Sequence, residues 1–228
     1  MIDAGRHLAQ TLRGTQRGAT LFIALIVLVA LSLAGVSLMR STDAANLIVG
    51  NLGFKKAALH ATDQAVQRTT ALLTGQGQLP SGWTMFSTAE KESNQPSRNY
   101  RATMFARGLS GTDGLDVNGI PNVLVNAPVP TSPGGHAGYG GATGLDDANE
   151  IVDSATGHTI RWVVDRMCRN TGAASGSHCS MTASTEVNEG IVNERYFGSA
   201  AGPYFRLTIR VDGPRNTVTY TQVLIRDT

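Results

Sequence analysis

Read from its N-terminus, the chain changes its hydrophobic pattern twice. No residue between Arg17 and Arg40 is charged, so Gly18 to Met39 forms a neutral stretch of 22 residues dominated by Leu, Ile, Val and Ala. As a helix this stretch spans ~33 Å, enough to cross the ~30 Å hydrocarbon core of a bilayer. Past Arg40 the pattern turns amphipathic. Ala44, Leu47, Ile48, Leu52, Ala58, Leu59, Ala65, Val66, Leu72 and Leu73 recur at three- and four-residue steps, with polar and charged residues between them. There is no Pro between Ala19 and Leu79, and Gly75, Gly77 and Pro80 supply a stop signal. The pattern predicts one helix from about Thr20 to Leu73, ~80 Å long, with one face of its second half laid on a soluble domain. Gly50 and Gly53 weaken its middle by up to ~1 kcal/mol each relative to Ala.

Beyond Gly75 the period shortens to two. Phe205, Leu207, Ile209 and Val211 alternate with Arg206, Thr208 and Arg210; Gly213–Asn216 supplies turn residues, and "TVTYTQVLI" follows as a β-branched strand, which predicts a hairpin. His158–Cys168 is a further strand, with Ile160, Trp162 and Val164 facing one way, and Asn99–Arg107 is a fourth. From Gly108 to Glu150 there are ten Gly and almost no helical period, so this segment reads as loop. The expected fold class is α+β: a long N-terminal helix, transmembrane in its first half and amphipathic in its second, packed on an antiparallel β-sheet.

Composition narrows the picture further. The 228 residues leave room for one soluble domain beside a membrane segment. Net charge is only +2 and the basic residues are dispersed, which excludes a nucleic-acid-binding stripe. Lys occurs only at positions 55, 56 and 91, and the rest is rich in Gly, Ser, Thr and Asn, like an exported β-rich domain. The apolar block is too long for a secretory signal, whose apolar region runs roughly 7–15 residues before a small-residue cleavage site. Arg6, Arg13 and Arg17 against a single Asp3 keep the preceding segment in the cytoplasm and send everything after Arg40 to the far side of the membrane.

A short basic leader ending in Gly, an apolar half-helix, an amphipathic half-helix and a soluble domain resemble a type IV prepilin, most strongly the PilX family of minor pilins. The likeness is carried by "QRGATLFIALIVLVALSLAGVSLMRST" (Gln16–Thr42), "VGNLGFKKAALHATDQAV" (Val49–Val66) and, as support, "VDGPRNTVTYTQVLI" (Val211–Ile225). The resemblance implies a leader over 1–18, cut between Gly18 and Ala19 by a membrane prepilin peptidase that then methylates Ala19. A pilin helix over 19–74, transmembrane over 19–39, and a periplasmic β-rich domain over 75–228 would follow. It also implies, as partners, other minor pilins, the major pilin, a large tip-associated adhesin and inner-membrane lipid. The location would be the inner membrane and then the fibre of a Gram-negative bacterium, near the tip, with roles in adhesion and twitching motility. One departure stands out. Most major pilins carry Glu at the fifth mature residue, and here that residue is Ile23. Loss of that carboxylate suits a subunit at the filament tip; equally, minor pilins tolerate its loss with no meaning for position. The face of Leu21, Leu25, Leu28 and Ser32 forms one stripe for a neighbouring helix.

Cys168 and Cys179 both fall in the exported half. Bridging them closes a short Gly/Ser-rich loop, worth ~3 kcal/mol by chain entropy, and an oxidising compartment favours the pairing over free thiols. A metal site using His178 with both cysteines lacks a fourth ligand. "DGLDVNG" resembles half a calcium loop, offering Asp113, Asp116 and Asn118, but its spacing is off by one and Val125 stands where a bidentate Glu belongs. It reads as a solvated turn. "GYGGATG" (Gly138–Gly144) fails the dinucleotide pattern and reads as flexible loop. No G-x-S-x-G, H-E-x-x-H or P-loop occurs, and the five His are scattered, in the pattern of surface residues. The expectation is a non-catalytic assembly component without cofactor or metal. Its alternatives are a minor pseudopilin of a type II secretion system and an unprocessed, single-span anchored binding domain.

Overall fold

The computed structural model describes residues 19–109, 111–141, 145–182 and 202–226. Helix α1 runs Ala19–Thr74 and ends where Gly75 takes a left-handed φ of 72°, its N–H closing on Ala71 O at 3.0 Å. The chain divides into two compact units at Gly53–Phe54, within α1. In the first unit the described residues are all helical and exposed. The helix is long and apolar enough to cross a membrane.

The second unit is a helix-on-sheet domain. After α1 come the single-turn α2 (Thr88–Lys91), strands β1 (Tyr100–Arg101), β2 (Ala106–Arg107) and β3 (Gly114–Leu115), α3 (Asn122–Val125), and β4 (Ile151–Asp153). Strands β5 (His158–Arg166), β6 (Tyr204–Gly213) and β7 (Thr217–Arg226) complete it. β5, β6 and β7 form an antiparallel meander. One edge of β5 is shared: β4 pairs antiparallel with its first residues and β1 parallel with Val164 and Asp165. The sheet is thus mixed, and the expected all-antiparallel pairing fails at β1. The arrangement is the expected α+β class, consistent with a pilin-like fold.

The meander follows the period-two reading closely. Ile160, Trp162 and Val164 of β5 join Phe205, Leu207, Ile209 and Val211 of β6 on one face, where they pack with Ala58, Ala61, Ala65, Leu72 and Leu73 of α1. Small residues at 58, 61 and 65 bring the helix backbone close to the sheet, and the stripe they define leaves Leu59 on the open side, 54% exposed. Leu47, Ile48 and Leu52, which share the predicted periodicity, lie in the first unit and are exposed as well. The expected hairpin turns through Pro214–Asn216, with Arg215 and Asn216 both left-handed at φ 60° and 57°.

The predicted strand over Asn99–Arg107 is broken. Asn99 sits at φ 53°, outside strand geometry, and its side-chain amide donates to Tyr139 Oη at 2.7 Å and Trp162 O at 3.1 Å. Only Tyr100 and Arg101 pair with β5; the chain then turns, and Ala106 and Arg107 pair with β3 instead.

Candidate functional site

Two features distinguish the molecule: an exposed apolar half-helix, and two central strands, β5 and β6, buried on both faces. The half-helix places Leu21, Leu25, Leu28 and Ser32 on one line, at 74%, 57% and 68% exposure for the three leucines. Phe22, Ile26, Val29 and Leu33 on the other sides are exposed too, so this segment is apolar all round and its stripe is marked by spacing alone. Ser32 Oγ donates to Val29 O at 2.8 Å and Thr42 Oγ1 to Met39 O at 2.8 Å, so neither hydroxyl needs water. Ala19 opens the helix, while Gly18 and the rest of the leader lie outside the described residues.

On the sheet face away from α1, polar residues of β5 and β6 are covered by the Gly-rich segment. All nine residues of β5 are buried. Arg161 and Arg210 stand directly opposite each other across β5 and β6, which would be repulsive but for Asp212, which accepts from both. Each arginine also gives Nη1 to backbone carbonyls of the covering segment. Arg161 Nη1 reaches Gly138 O at 2.8 Å and also Pro128 O; Arg210 Nη1 reaches Leu124 O at 2.6 Å and Ala127 O at 2.8 Å. Further along, Arg206 donates to both oxygens of Asp165, and Asp165 Oδ2 also accepts Phe105 N–H at 3.2 Å. Burial pushes the Asp165 carboxyl above the usual carboxylate range, outweighing the pull of Arg206 beside it. Buried Glu150 receives the N–H groups of Ala137 and Gly138 and the Nδ1 of His136 at 3.0 Å. The segments around Phe105, Leu124–Pro128 and Gly138 are thus pinned to the sheet by charged side chains.

The segment Gly138–Gly141 is accordingly no free loop. Tyr139 is buried, and its hydroxyl lies between Asn99 Nδ2, Trp162 N–H and Trp162 O; burial pushes its pKa up. Ala142–Gly144 of the same motif lie outside the described residues. His158, which the sequence leaves among scattered surface histidines, opens β5 and is 3% exposed.

Cys168 and Cys179 are disulfide-bonded. Arg169 N–H to His178 O at 2.8 Å lies just inside the bridge, and Arg166 Nη2 donates to Gly172 O at 2.7 Å. His178 is spent within the loop, Nδ1 on Ser175 Oγ at 2.8 Å and Nε2 on Ala173 O at 3.1 Å. No residue between the cysteines is fully buried, so the bridge and these hydrogen bonds hold the loop. A Cys179→Ser variant is expected to lose ~3 kcal/mol of unfolding free energy in urea titration, a loss abolished when the parent is measured under reductant.

The half calcium loop is otherwise engaged. Asp113 pairs with Arg101, while Asp116 accepts the N–H groups of Asn118 at 2.9 Å and Ile120 at 2.7 Å. The Ile120 N–H, with Asn118, holds the Asp116 carboxyl below its ordinary range. Among the described residues no group of three or more His, Cys, Asp or Glu is placed to hold a metal ion. Comparison with family models, curated proteins and solved structures finds no match to this chain.

Proposed function

We propose that the chain is a minor pilin that helps initiate or cap a type IV pilus. The observation that carries this reading is α1: one continuous helix whose first part is apolar on every side and exposed, and whose last part lays an alanine-rich stripe on a sheet. A helix of that kind serves first as a membrane anchor and then as a strut in a bundle of identical helices, where apolar surface on all sides is an asset. A prepilin peptidase cuts between Gly18 and Ala19 and methylates Ala19. The domain then stands in the periplasm of a Gram-negative cell until the subunit enters the fibre beside other minor pilins, the major pilin and a tip-associated adhesin. The charged residues of the domain act as struts for its loops, in keeping with a role in assembly and not in catalysis.

Ile23 supports a place at the tip. In a dry bundle, the amine of a docking subunit needs a carboxylate partner, and Ile23 offers none. The same feature fits the tip-forming pseudopilin of a type II secretion system, the second reading; the genes beside this one distinguish the two. For the tip placement, deletion is expected to lower the number of surface filaments without changing the membrane level of the major subunit, and the protein is expected to be scarce in sheared filaments. Immunogold label spread along filaments at the density of the major subunit would overturn the tip placement.

A further inference from the structure

Beside β1 lies a cleft of about 220 Å³, bounded by Tyr100, Phe105, Val123 and Leu145 and by the charged pair Arg101 and Asp113. Its apolar wall is fixed, because Tyr100, Phe105 and Val123 are core residues. The Arg101 guanidinium lies over the Phe105 ring, 4.6 Å from its centroid, and Nη1 donates to Asp113 Oδ1. Its Nε is buried and has no acceptor among the described residues. Arg166, Arg206 and Arg210 are different, since each gives its Nε to an oxygen. Arg161 Nε also lacks an acceptor, but that side chain is 0% exposed inside the closed layer, whereas the Arg101 side chain lines the cleft and is 20% exposed. A guanidinium offers two paired edges to a carboxylate, and Asp113 occupies only one end of the fork.

We propose that this cleft binds a carboxylate carried on a short apolar stem, the chemistry of an apolar C-terminal residue of a polypeptide. Arg101 takes the carboxylate on the side of its fork away from Asp113, and Phe105, Val123 and Leu145 take the stem. Arg101 already faces Asp113, so each charge on an incoming anion adds to the uncompensated negative charge, and a monoanion is disfavoured less than a phosphate dianion. The volume is below the ~300 Å³ at which sites for larger cofactors begin. Asp113, its side chain 58% exposed, competes for Arg101 and repels the incoming anion. The proposal rests on the domain alone and is independent of how the chain is anchored or processed.

The test uses the full-length protein in detergent micelles, titrated calorimetrically at low salt with N-acetyl-leucine and with N-acetyl-Gly-Gly-Leu, each as free acid and as amide. The expected result is saturable binding of at least one acid, with its amide weaker by at least about tenfold. Asp113→Asn, a surface change, is expected to tighten binding of that acid by about threefold or more, and Arg101→Gln to abolish it. Tighter binding of the tripeptide identifies a polypeptide terminus as the source; preference for N-acetyl-leucine identifies a free small acid and keeps the chemistry. No saturable binding of either acid up to roughly 10 mM, equal affinity for acid and amide, or an Asp113→Asn affinity that fails to rise overturns the proposal.

Discussion

Replacing Leu25 with Asp is expected to remove the protein from assembled filaments while leaving its domain folded. Leu25 lies in the first unit, 57% exposed, and is not among the core residues of the domain. A carboxylate near the centre of a membrane helix costs ~2.5–3.5 kcal/mol, which the many flanking apolar residues offset, so the chain still inserts. In a bundle of helices the same carboxylate has no partner to take it up, since Ile23 marks a helix that carries no charge of its own there. The expected outcome is an unchanged thermal midpoint, an unchanged membrane fraction, and at least about a tenfold loss from the sheared-filament fraction. Leu25→Ala, which keeps the segment apolar, is expected to be incorporated nearly as the parent. Normal incorporation of the Asp variant would remove the half-helix from the assembly surface.

The second large effect is expected inside the domain, at Asp212. This carboxylate is 4% exposed and is the shared acceptor of Arg161 and Arg210, which face each other across the strands. Asp212→Ala leaves two buried guanidinium groups with no counter-ion. Removing one partner of a buried ionic set costs ~3–5 kcal/mol, because the desolvation penalty of the survivors is no longer offset. For a domain of this size that is a fall of roughly 6–20 °C in thermal midpoint. The loops pinned by those arginines, around Leu124–Pro128 and Gly138, are expected to lose hydrogen-exchange protection before the rest of the sheet does. Replacing the set together (Arg161→Met, Arg210→Leu, Asp212→Leu) is expected to recover part of the loss, as matched apolar replacements of buried ion pairs do. A fall of less than ~1 kcal/mol for Asp212→Ala would mean that the layer is wetter than its burial implies.

These two positions also mark what the sequence discloses and what it hides. The helix, its stop at Gly75, the hairpin and the disulfide were all legible, because each rests on a local signal: period, turn residues, or two cysteines in one compartment. The second face of the sheet was not. Arg206, Thr208 and Arg210 alternate with apolar residues just as a solvated face does, and period two cannot tell solvent from a covering loop that brings its own acceptors. One hint was available. Val163 interrupts the polar face of β5, and it packs in a second cluster with Phe105, Leu124 and Tyr139. A loop of such length that was merely solvated would have had no use for Tyr139. The Asn99–Arg107 strand failed for a related reason: its alternation is sound, but Asn99 is committed to Tyr139 and Trp162 over contacts 40 and 63 residues away, which no window reading contains. In the amphipathic half of α1 the period and most of the face are right, with Ala58, Ala65, Leu72 and Leu73 in the core; Leu59 faces outward and Ala61, which the pattern passes over, takes the inward place.

The central claim is that α1 is a processed pilin helix and not a permanent anchor. Intact mass and N-terminal sequencing of the protein purified from membranes test it directly. The account predicts a chain that lacks residues 1–18 and begins at an N-methylated Ala19, and it predicts that replacing Gly18 with Leu leaves the full-length precursor uncut. A mature protein that keeps the leader, or one that starts at another residue, would contradict it.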